Sequence, residues 1–412
     1  MLVIHDPKLE SSGERVRATS LIERGGKASS LWFEVDTSYS EYIAADRADA
    51  FVLSCIFPAL ASGEDITVRG TLSPRLFYHL NHNLIPILQL YLDAPRRISV
   101  AADRLEPMRL PPGDGVMTGF SGGIDSFCNY YDHSGDRAPE GWRITHFVYN
   151  NVGSHGQSSA AEDEQIFKKR YESLARFTRC AGIEMLAVNS NIDAVVGLPF
   201  DRTHTLRNAA VALLLQGRFS KFLYASAFDY AHTRVGRCPT LGYLDPVILP
   251  MLGTERLECV PSGGQHSRVE KTRRVAEIPA SRELLDVCVR PDKVAPGFIN
   301  CSCCWKCMRT AITLAAMGKL VEFDRVFDID MVRRYERIFL LDALSSRNPL
   351  QGEVMDLIRD SGYPIPRRIS LIARFLPGRL IQRAVSWLWP RMIDRPRVSE
   401  VIGLLLGQSP RL

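Results

Sequence analysis

Residues 116–126 read Val-Met-Thr-Gly-Phe-Ser-Gly-Gly-Ile-Asp-Ser, and the prediction of fold and function begins with this stretch. An apolar run that leads into Ser-Gly-Gly and then Asp-Ser predicts a buried strand, a tight turn and the first turn of a helix. Adjacent glycines let backbone N–H groups approach a ligand, and the N-terminus of a helix attracts anions. With two hydroxyl groups and a carboxylate beside them, the turn has the groups that bind a phosphate chain together with Mg²⁺.

The composition sets outer bounds on the kind of protein. A chain of 412 residues is too long for one ordinary hydrophobic core, which predicts two or three domains. Its 46% hydrophobic and 24% charged residues are typical of a soluble globular protein. The net charge of +5 permits an anionic ligand without requiring nucleic acid. Since no apolar run is long enough for a bilayer and the N-terminus is charged too early for a signal peptide, we expect a cytoplasmic protein.

Three regions of the chain differ in pattern. Residues 1–112 predict an α+β module that ends at a run of prolines and glycines, residues 111–115. Residues 115–320 alternate apolar strands with amphipathic helices, which predicts a doubly wound α/β domain with a parallel sheet covered on both faces. Ligands of such sheets bind beyond the carboxyl ends of the strands, where the Ser-Gly-Gly turn is expected. Residues 325–412 predict a basic helical region. The strands expected in the middle region are 116–120, 144–149, 184–188, 222–227 and 284–289.

The cysteines are unevenly distributed. The chain has ten, and four of them fall within residues 301–307. In a reducing compartment this clustering indicates a metal site and not a disulfide framework. The spacing Cys301-x2-Cys304-x2-Cys307, with Cys288 as the fourth ligand, predicts a closed, structural Zn²⁺ site, and Cys303 is out of phase with it. Buried free cysteines and an iron–sulfur cluster are the alternatives.

The Ser-Gly-Gly-x-Asp-Ser turn, followed in the same domain by this cysteine pattern, resembles the N-type ATP pyrophosphatases, and among them the 7-cyano-7-deazaguanine synthases of the queuosine pathway. Those zinc-containing enzymes cleave ATP between the α and β phosphates, adenylate a carboxylate and form an amide, which they then convert to a nitrile. The resemblance covers about residues 115–320. It implies a sheet of the adenine nucleotide alpha hydrolase-like type and the cofactors ATP, Mg²⁺ and Zn²⁺.

The resemblance also implies particular site residues. The triphosphate and Mg²⁺ are expected at Ser121, Gly122, Gly123, Asp125 and Ser126. Two arginines are expected to neutralise charge as pyrophosphate leaves: Arg207, in an Arg-Asn pair that opens a helix, and Arg268, in a basic-x-Glu unit. Asp125, Arg207 and Arg268 are thus the predicted catalytic residues. The family's Tyr-Gly-Gln loop after the second strand is replaced here by Tyr-Asn-Asn at 149–151, so the resemblance supports ATP chemistry more strongly than a deazaguanine acceptor.

The predicted function is an ATP-dependent carbon–nitrogen ligase that adenylates a carboxylate on a small molecule and releases AMP and pyrophosphate. One alternative is a tRNA-modifying enzyme of the same superfamily. Others are a synthase-like protein of a bacterial defence cluster that acts on another acceptor, or a nucleotide-binding subunit without turnover. A homo-oligomer is also expected.

The C-terminal region is rich in arginine. Between Pro364 and Val398 there are eight arginines and one acidic residue, Asp394. Leu380, Ile381, Ala384, Val385 and Leu388 form an apolar stripe at helical spacing, beside Trp387 and Trp389. Such a segment can lie on an anionic membrane, bind a nucleic acid or protein acceptor, or pack on the domain as a helical cap. Five prolines break it into short helices, which favours the packed cap.

Overall fold

The computed structural model describes residues 1–109, 113–154 and 160–395, together with residues 398, 402, 405 and 406. Within this part of the chain there are two compact units. Unit 1 comprises Met1–Ser121 and Asp132–Gln265, and unit 2 comprises Gly122–Tyr131 and His266–Leu412. These units do not coincide with the predicted regions 1–112, 115–320 and 325–412, and the prolines at 111 and 112 lie outside the described residues.

The described residues of unit 1 contain eleven strands that form one sheet. The strands are β1 Leu2–His5, β2 Lys8–Ser12, β3 Arg15–Arg24, β4 Lys27–Asp36, β5 Ile66–Leu72, β6 Val100–Leu105, β7 Gly115–Gly119, β8 His146–Asn151, β9 Glu184–Ser190, β10 Phe219–Ala225 and β11 Glu258–Ser262. Their order is β11-β10-β7-β8-β9-β4-β3-β1-β5-β6, and β2 pairs with β3. In the N-terminal region β3 and β4 form an antiparallel hairpin, and antiparallel pairing of β4 with β9 joins it to the parallel strands.

The described α-helices come from both units. They are α1 Asp49–Ser62, α2 Pro74–His79, α3 Ile85–Leu92, α4 Ile124–Asp132, α5 Ala160–Cys180, α6 Ile192–Val196, α7 His204–Leu214, α8 Asp245–Ile248, α9 Arg268–Ala276, α10 Ser281–Leu284, α11 Trp305–Ala316, α12 Ile329–Ser345, α13 Pro349–Ser361, α14 Arg367–Phe375 and α15 Gly378–Asp394. Unit 2 contains α4 up to Tyr131 and all helices from α9 onward. None of the described helices combines the length and the apolar character that crossing a bilayer requires.

Five neighbouring strands, β9-β8-β7-β10-β11, are parallel. Numbered by their position in the chain, they follow the order 3-2-1-4-5, which is that of Rossmann-type sheets. The order reverses between β7 and β10, and ligands of open α/β sheets bind beyond the carboxyl ends of the strands at such a switch point. The prediction of an α/β fold with a mostly parallel sheet is therefore confirmed, and Ser121 follows the carboxyl end of β7.

One predicted strand is wrong and another was missed. The segment 284–289 forms no strand, because its N–H groups bond elsewhere: Val287 N–H donates to Asn300 Oδ1 at 2.9 Å and Cys288 N–H to Asp286 Oδ1 at 3.0 Å. The fifth parallel strand is β11 instead. Proline is rare inside strands, so Pro261 is a sequence signal against a strand at this place. Among the described strands, β11 pairs with β10 alone and lies at the sheet edge, where a missing N–H is tolerated.

The C-terminal helices pack within unit 2. Both α14 and α15 pack against α12, and the buried face of α15 consists of Ile381, Val385, Trp389 and Met392. Trp389 Nε1 donates to the carbonyl of Cys303 at 2.8 Å, and Tyr335 Oη donates to the carbonyl of Met392 at 2.8 Å. These contacts are those of a packed helical cap, as the prolines suggested. Leu380 of the predicted apolar stripe is exposed instead of packed.

Two carboxylates of unit 1 provide a test of the electrostatics of the fold. Asp49, the first residue of α1, is fully buried and accepts hydrogen bonds from Ser73 N–H at 2.9 Å and Ser73 Oγ at 2.6 Å. Burial raises the pKa of Asp49 above its ordinary 3.8, although these hydrogen bonds oppose the shift. The hydrogen bonds from Arg96 and from the backbone of Ser99 lower the pKa of Asp65, which is partly exposed.

The two carboxylates should therefore give opposite pH trends. Because the pKa of Asp49 is raised in the folded chain, the cost of its ionised form appears as the pH rises above 3.8. Asp49→Asn removes this cost, so we expect the stability of this variant relative to wild type to increase from about pH 4 to about pH 7. Asp65 has a lowered pKa, and its stabilising effect is lost as the pH falls below 3.8, so the stability of Asp65→Asn relative to wild type should decrease as the pH rises towards about 4 and stay constant above it. Urea unfolding at several pH values measures both, and parallel trends would contradict this account.

Candidate anion site and four-cysteine cluster

The Ser-Gly-Gly turn directly precedes α4, and its first glycine accepts a hydrogen bond from another segment of unit 2. Gly122 has a φ of +74°, in the left-handed region that favours glycine. Its carbonyl accepts from the N–H of Asp286 at 2.9 Å. The carbonyl of Gly123 accepts from the N–H of Phe127 at 3.0 Å and from Ser126 Oγ at 3.0 Å, which begins the helix. The predicted strand, turn and helix are thus present in this order.

Asp125, in the first turn of α4, is paired with two cations. Its Oδ2 accepts from Nη1 and Nη2 of Arg268, each at 3.1 Å, and its Oδ1 accepts from Nζ of Lys271 at 3.2 Å. The Arg268 side chain is 7% exposed and that of Lys271 is 1% exposed, whereas Asp125 keeps 29%. Burial alone would raise the pKa of Asp125, but the charges of Arg268 and Lys271 outweigh it, and the pKa is lowered.

The N-terminus of α9 holds both cations in place. Ser267 and Glu270 form a capping box, in which Glu270 Oε2 accepts from the N–H of Ser267 at 2.8 Å. The N–H of Arg268 donates to Glu353 of α13. Because Arg268 and Lys271 are three residues apart on α9, they project from one face of the helix towards Asp125. Glu270, which the sequence placed in a basic-x-Glu unit, therefore serves here as a helix cap.

Two further cations, Lys306 and Arg309, lie on α11. Lys306 Nζ lies 5.4 Å and Arg309 Cζ 5.1 Å from the ring centroid of Trp305, whose side chain is 47% exposed. Burial lowers the pKa of Lys306 and of Arg309, and the positive charge of Arg268 lowers both further, whereas Asp125 opposes the shift. We call Arg268, Lys271, Lys306 and Arg309 the cation cluster. A bound anion would relieve the repulsion among its members.

Asp125 and Arg207, the residues predicted to act on Mg²⁺ and phosphate, are both bonded to other groups of the protein. Both carboxylate oxygens of Asp125 are engaged by cations, so Mg²⁺ would compete with Lys271 and Arg268 for this carboxylate. Arg207 lies in unit 1 and is buried. Its guanidinium donates to the hydroxyl of Thr203 at 2.7 Å, to the carbonyls of Val152 and Leu198 at 2.8 and 2.6 Å, and to Asp193. The phosphate roles of Asp125 and Arg207 stay predictions.

The four cysteines predicted as metal ligands come together in unit 2. The Sγ atoms of Cys288, Cys301, Cys304 and Cys307 lie within 4.8 Å of one another, and all four residues are buried. The Sγ of Cys307 is 3.8 Å from that of Cys301 and 3.3 Å from that of Cys304. Four thiolates around Zn²⁺ at about 2.3 Å would be roughly 3.8 Å apart. The cluster can therefore bind a metal such as zinc with little movement.

Backbone donors surround these sulfurs. Cys288 Sγ accepts from the N–H groups of Arg290 at 3.3 Å and Cys301 at 3.4 Å, and Cys301 Sγ accepts from the N–H of Cys304 at 3.3 Å. Such N–H donors stabilise the negative charge of thiolate ligands. Cys303 is not a member of the cluster of four, as its spacing predicted. Instead, the carbonyl of Cys303 accepts a hydrogen bond from Trp389.

The segments that carry the four cysteines also contact the Ser-Gly-Gly turn and carry two of the cations. Asp286 donates its N–H to Gly122 of the turn, and its side chain accepts from the N–H of Cys288 at 3.0 Å. Cys307 lies on α11 between Lys306 and Arg309. The sequence analysis did not assign a role to Lys271, Lys306 or Arg309. The available signal was their spacing, since each basic pair, 268/271 and 306/309, is separated by three residues on a helix.

Removal of one cysteine ligand should release the metal. We expect about one Zn²⁺ per purified chain and its loss in Cys304→Ser and Cys307→Ser, with reduced thermal stability because metal binding is coupled to folding. Metal analysis and thermal unfolding measure these effects. Cys303→Ser is the matched control, since Cys303 is equally buried and one residue from a ligand. Equal zinc loss in this control would contradict the ligand set, and iron with visible absorbance would contradict zinc.

Comparisons with other proteins complete the description of the site. Neither a scan against protein-family models nor searches of curated proteins and of solved structures found a match to this chain. The arguments for its function therefore come from the residues of the turn, the cation cluster and the four cysteines.

Proposed function

We propose that this chain is an ATP-dependent ligase of the ATP pyrophosphatase type, which adenylates a carboxylate and releases pyrophosphate. The observation that carries the proposal is the ion-paired carboxylate of Asp125. It follows a Ser-Gly-Gly turn in the first turn of α4, and two buried cations of α9 converge on it. Turn, helix N-terminus and cations together favour a phosphate chain.

The charges of the cluster support a polyanionic ligand. Arg268 and Lys271 both bond the carboxylate of Asp125, and Lys306 and Arg309 add positive charge close to it. Arginine and lysine buried at this level are usually paired with anions. A triphosphate would supply several negative oxygens to these donors, and the guanidinium of Arg268 can bind phosphate with two parallel N–H groups.

The reaction follows from which phosphates are bound. If the turn and the cation cluster bind the β and γ phosphates, these leave together as pyrophosphate. A carboxylate oxygen of the acceptor attacks the α-phosphorus, its bond to that phosphorus forms, and the bond from the α-phosphorus to the bridging oxygen breaks. The products are an acyl-adenylate and pyrophosphate, and a nitrogen nucleophile then displaces AMP to form an amide. Arg268 and Lys271, held on α9, would stabilise the charge that develops on the departing pyrophosphate.

The proposal includes two metals with different roles. Mg²⁺ would be held by Asp125 and by phosphate oxygens, the oxygen ligands it prefers, and would neutralise charge on the phosphates. Zn²⁺ would be held by Cys288, Cys301, Cys304 and Cys307 as a closed structural site. It would fix the N-terminal part of α11, and with it the positions of Lys306 and Arg309.

The nucleotide products provide the decisive test. The protein would be incubated with ATP, Mg²⁺ and a panel of carboxylic acids that includes 7-carboxy-7-deazaguanine, and the nucleotides would be separated by chromatography. We expect AMP and pyrophosphate with one acid and no reaction without it. Asp125→Asn should abolish AMP formation yet still bind ATP, because Arg268 and Lys271 are then released for phosphate. ADP as the main product, or AMP formation that survives Asp125→Asn, would refute the proposal.

The cation cluster can be tested separately from the metal. Lys306→Met and Arg309→Met should each weaken ATP binding by roughly tenfold, since a charge-assisted hydrogen bond contributes on the order of 1.5–3 kcal/mol. Isothermal titration measures the affinity, and metal analysis should show unchanged zinc. Arg325→Met is the matched control, because Arg325 is a 76% exposed side chain of unit 2 outside the cluster. Unchanged ATP affinity in both cluster variants would remove these residues from the site.

A further inference from the structure

The outward side of α14 and α15 combines two kinds of exposed residue. Each helix packs its buried side against α12. Among the described residues, the large apolar side chains left exposed on these helices and the turn between them are Leu371 (53%), Phe375 (73%), Leu376 (50%), Leu380 (55%) and Trp387 (57%). We call these five residues the apolar tail surface. They occupy a segment of 17 residues, a density of exposed apolar side chains that marks an interaction site.

Exposed arginines lie between these apolar residues. They are Arg367, Arg368, Arg374, Arg379, Arg383 and Arg391. Arg391 Cζ lies 4.0 Å above the ring of Trp387, and Arg374 Cζ lies 5.9 Å from the ring centroid of Phe375. Between Ser361 and Ile393 the sequence contains no Asp or Glu. Asp394, the next acidic residue, pairs with Arg290 and Lys293, both at 3.2 Å, and so does not neutralise this surface.

The apolar residues decide which anionic partner fits. Nucleic acid would satisfy the arginines and could stack on Phe375 or Trp387, but it offers nothing to cover Leu371, Leu376 and Leu380. A phospholipid membrane satisfies both kinds of residue, since anionic headgroups pair with arginine and the acyl boundary takes leucine, phenylalanine and tryptophan. We propose that α14 and α15 dock this protein on the surface of a membrane that contains anionic phospholipid.

Vesicle binding by the full chain tests this proposal. We expect the protein to sediment with phosphatidylcholine vesicles that contain phosphatidylserine, and not with phosphatidylcholine alone. Binding should fall as the salt concentration rises from roughly 0.1 M to roughly 0.5 M. Arg374→Glu/Arg383→Glu should lower the partition coefficient at least about tenfold. Arg237→Glu, at a side chain of unit 1 that is 81% exposed, is the matched charge control and should leave it unchanged.

The apolar contribution is tested in the same assay. Phe375→Ser/Trp387→Ser should reduce binding at least about tenfold. Val321→Ser, at a residue that is 73% exposed elsewhere in unit 2, should not reduce it. Brominated lipid should quench tryptophan emission of the wild type, and Trp387→Phe should remove this quenching while retaining binding. The proposal is overturned if anionic vesicles do not bind, if the Ser variant binds as wild type does, or if tRNA or duplex DNA binds in place of vesicles.

Discussion

The ion pairs of Asp125 with Arg268 and Lys271 are the constraint around which the proposed phosphate site is arranged. At an effective dielectric constant near 20, two unit charges about 4 Å apart attract by roughly 4 kcal/mol. Dehydrating each buried ion costs several kcal/mol, and Arg268 and Lys271 also repel each other. The attraction to Asp125 is therefore of the same order as the cost of dehydrating these two cations. A cluster balanced in this way gains strongly from an additional anion, which is the physical reason for placing phosphate beside it.

Hydrogen bonds and the chain itself link the four cysteines to the Ser-Gly-Gly turn and to the cations Lys306 and Arg309. Asp286 bonds both Gly122 of the turn and Cys288, so the position of the first cysteine and that of the turn are coupled. Cys304 directly precedes α11 and Cys307 lies on it between Lys306 and Arg309, so a metal that fixes these sulfurs would also fix these cations. A divalent ion with four thiolates carries a formal charge of about −2, which would partly offset the positive charges of Lys306 and Arg309. A structural metal at the four cysteines would thus also lower the positive potential around the cation cluster.

Local patterns in the sequence predicted much of this fold, and tertiary placement accounts for what they missed. The Gly-Gly turn, α5 and α9 were predictable because glycine conformation and helical periodicity act within a few residues. The strand β11 was missed because Pro261 is tolerated only at a sheet edge, which is a property of the whole sheet. Residues 284–289 are apolar enough for a strand, but their N–H groups bond to side chains. Asp125 and the cation cluster come from three separate segments of the chain, and no local pattern indicates that they converge.

Two groups of basic residues differ in burial: buried ones held in place by an ion pair, and exposed ones on α14 and α15. The side chains of Arg268 and Lys271 are 7% and 1% exposed and their heads are fixed by Asp125, so a ligand that replaces this carboxylate meets donors already in position. The arginines of α14 and α15 are exposed and carry no fixed geometry for a small ligand. They can contribute long-range attraction to an extended anionic surface, and the leucines and aromatic residues between them supply the contact. A net charge of +5 is thus a poor guide to what the chain binds, because the same kind of side chain is proposed to bind phosphate where it is buried and a membrane surface where it is exposed.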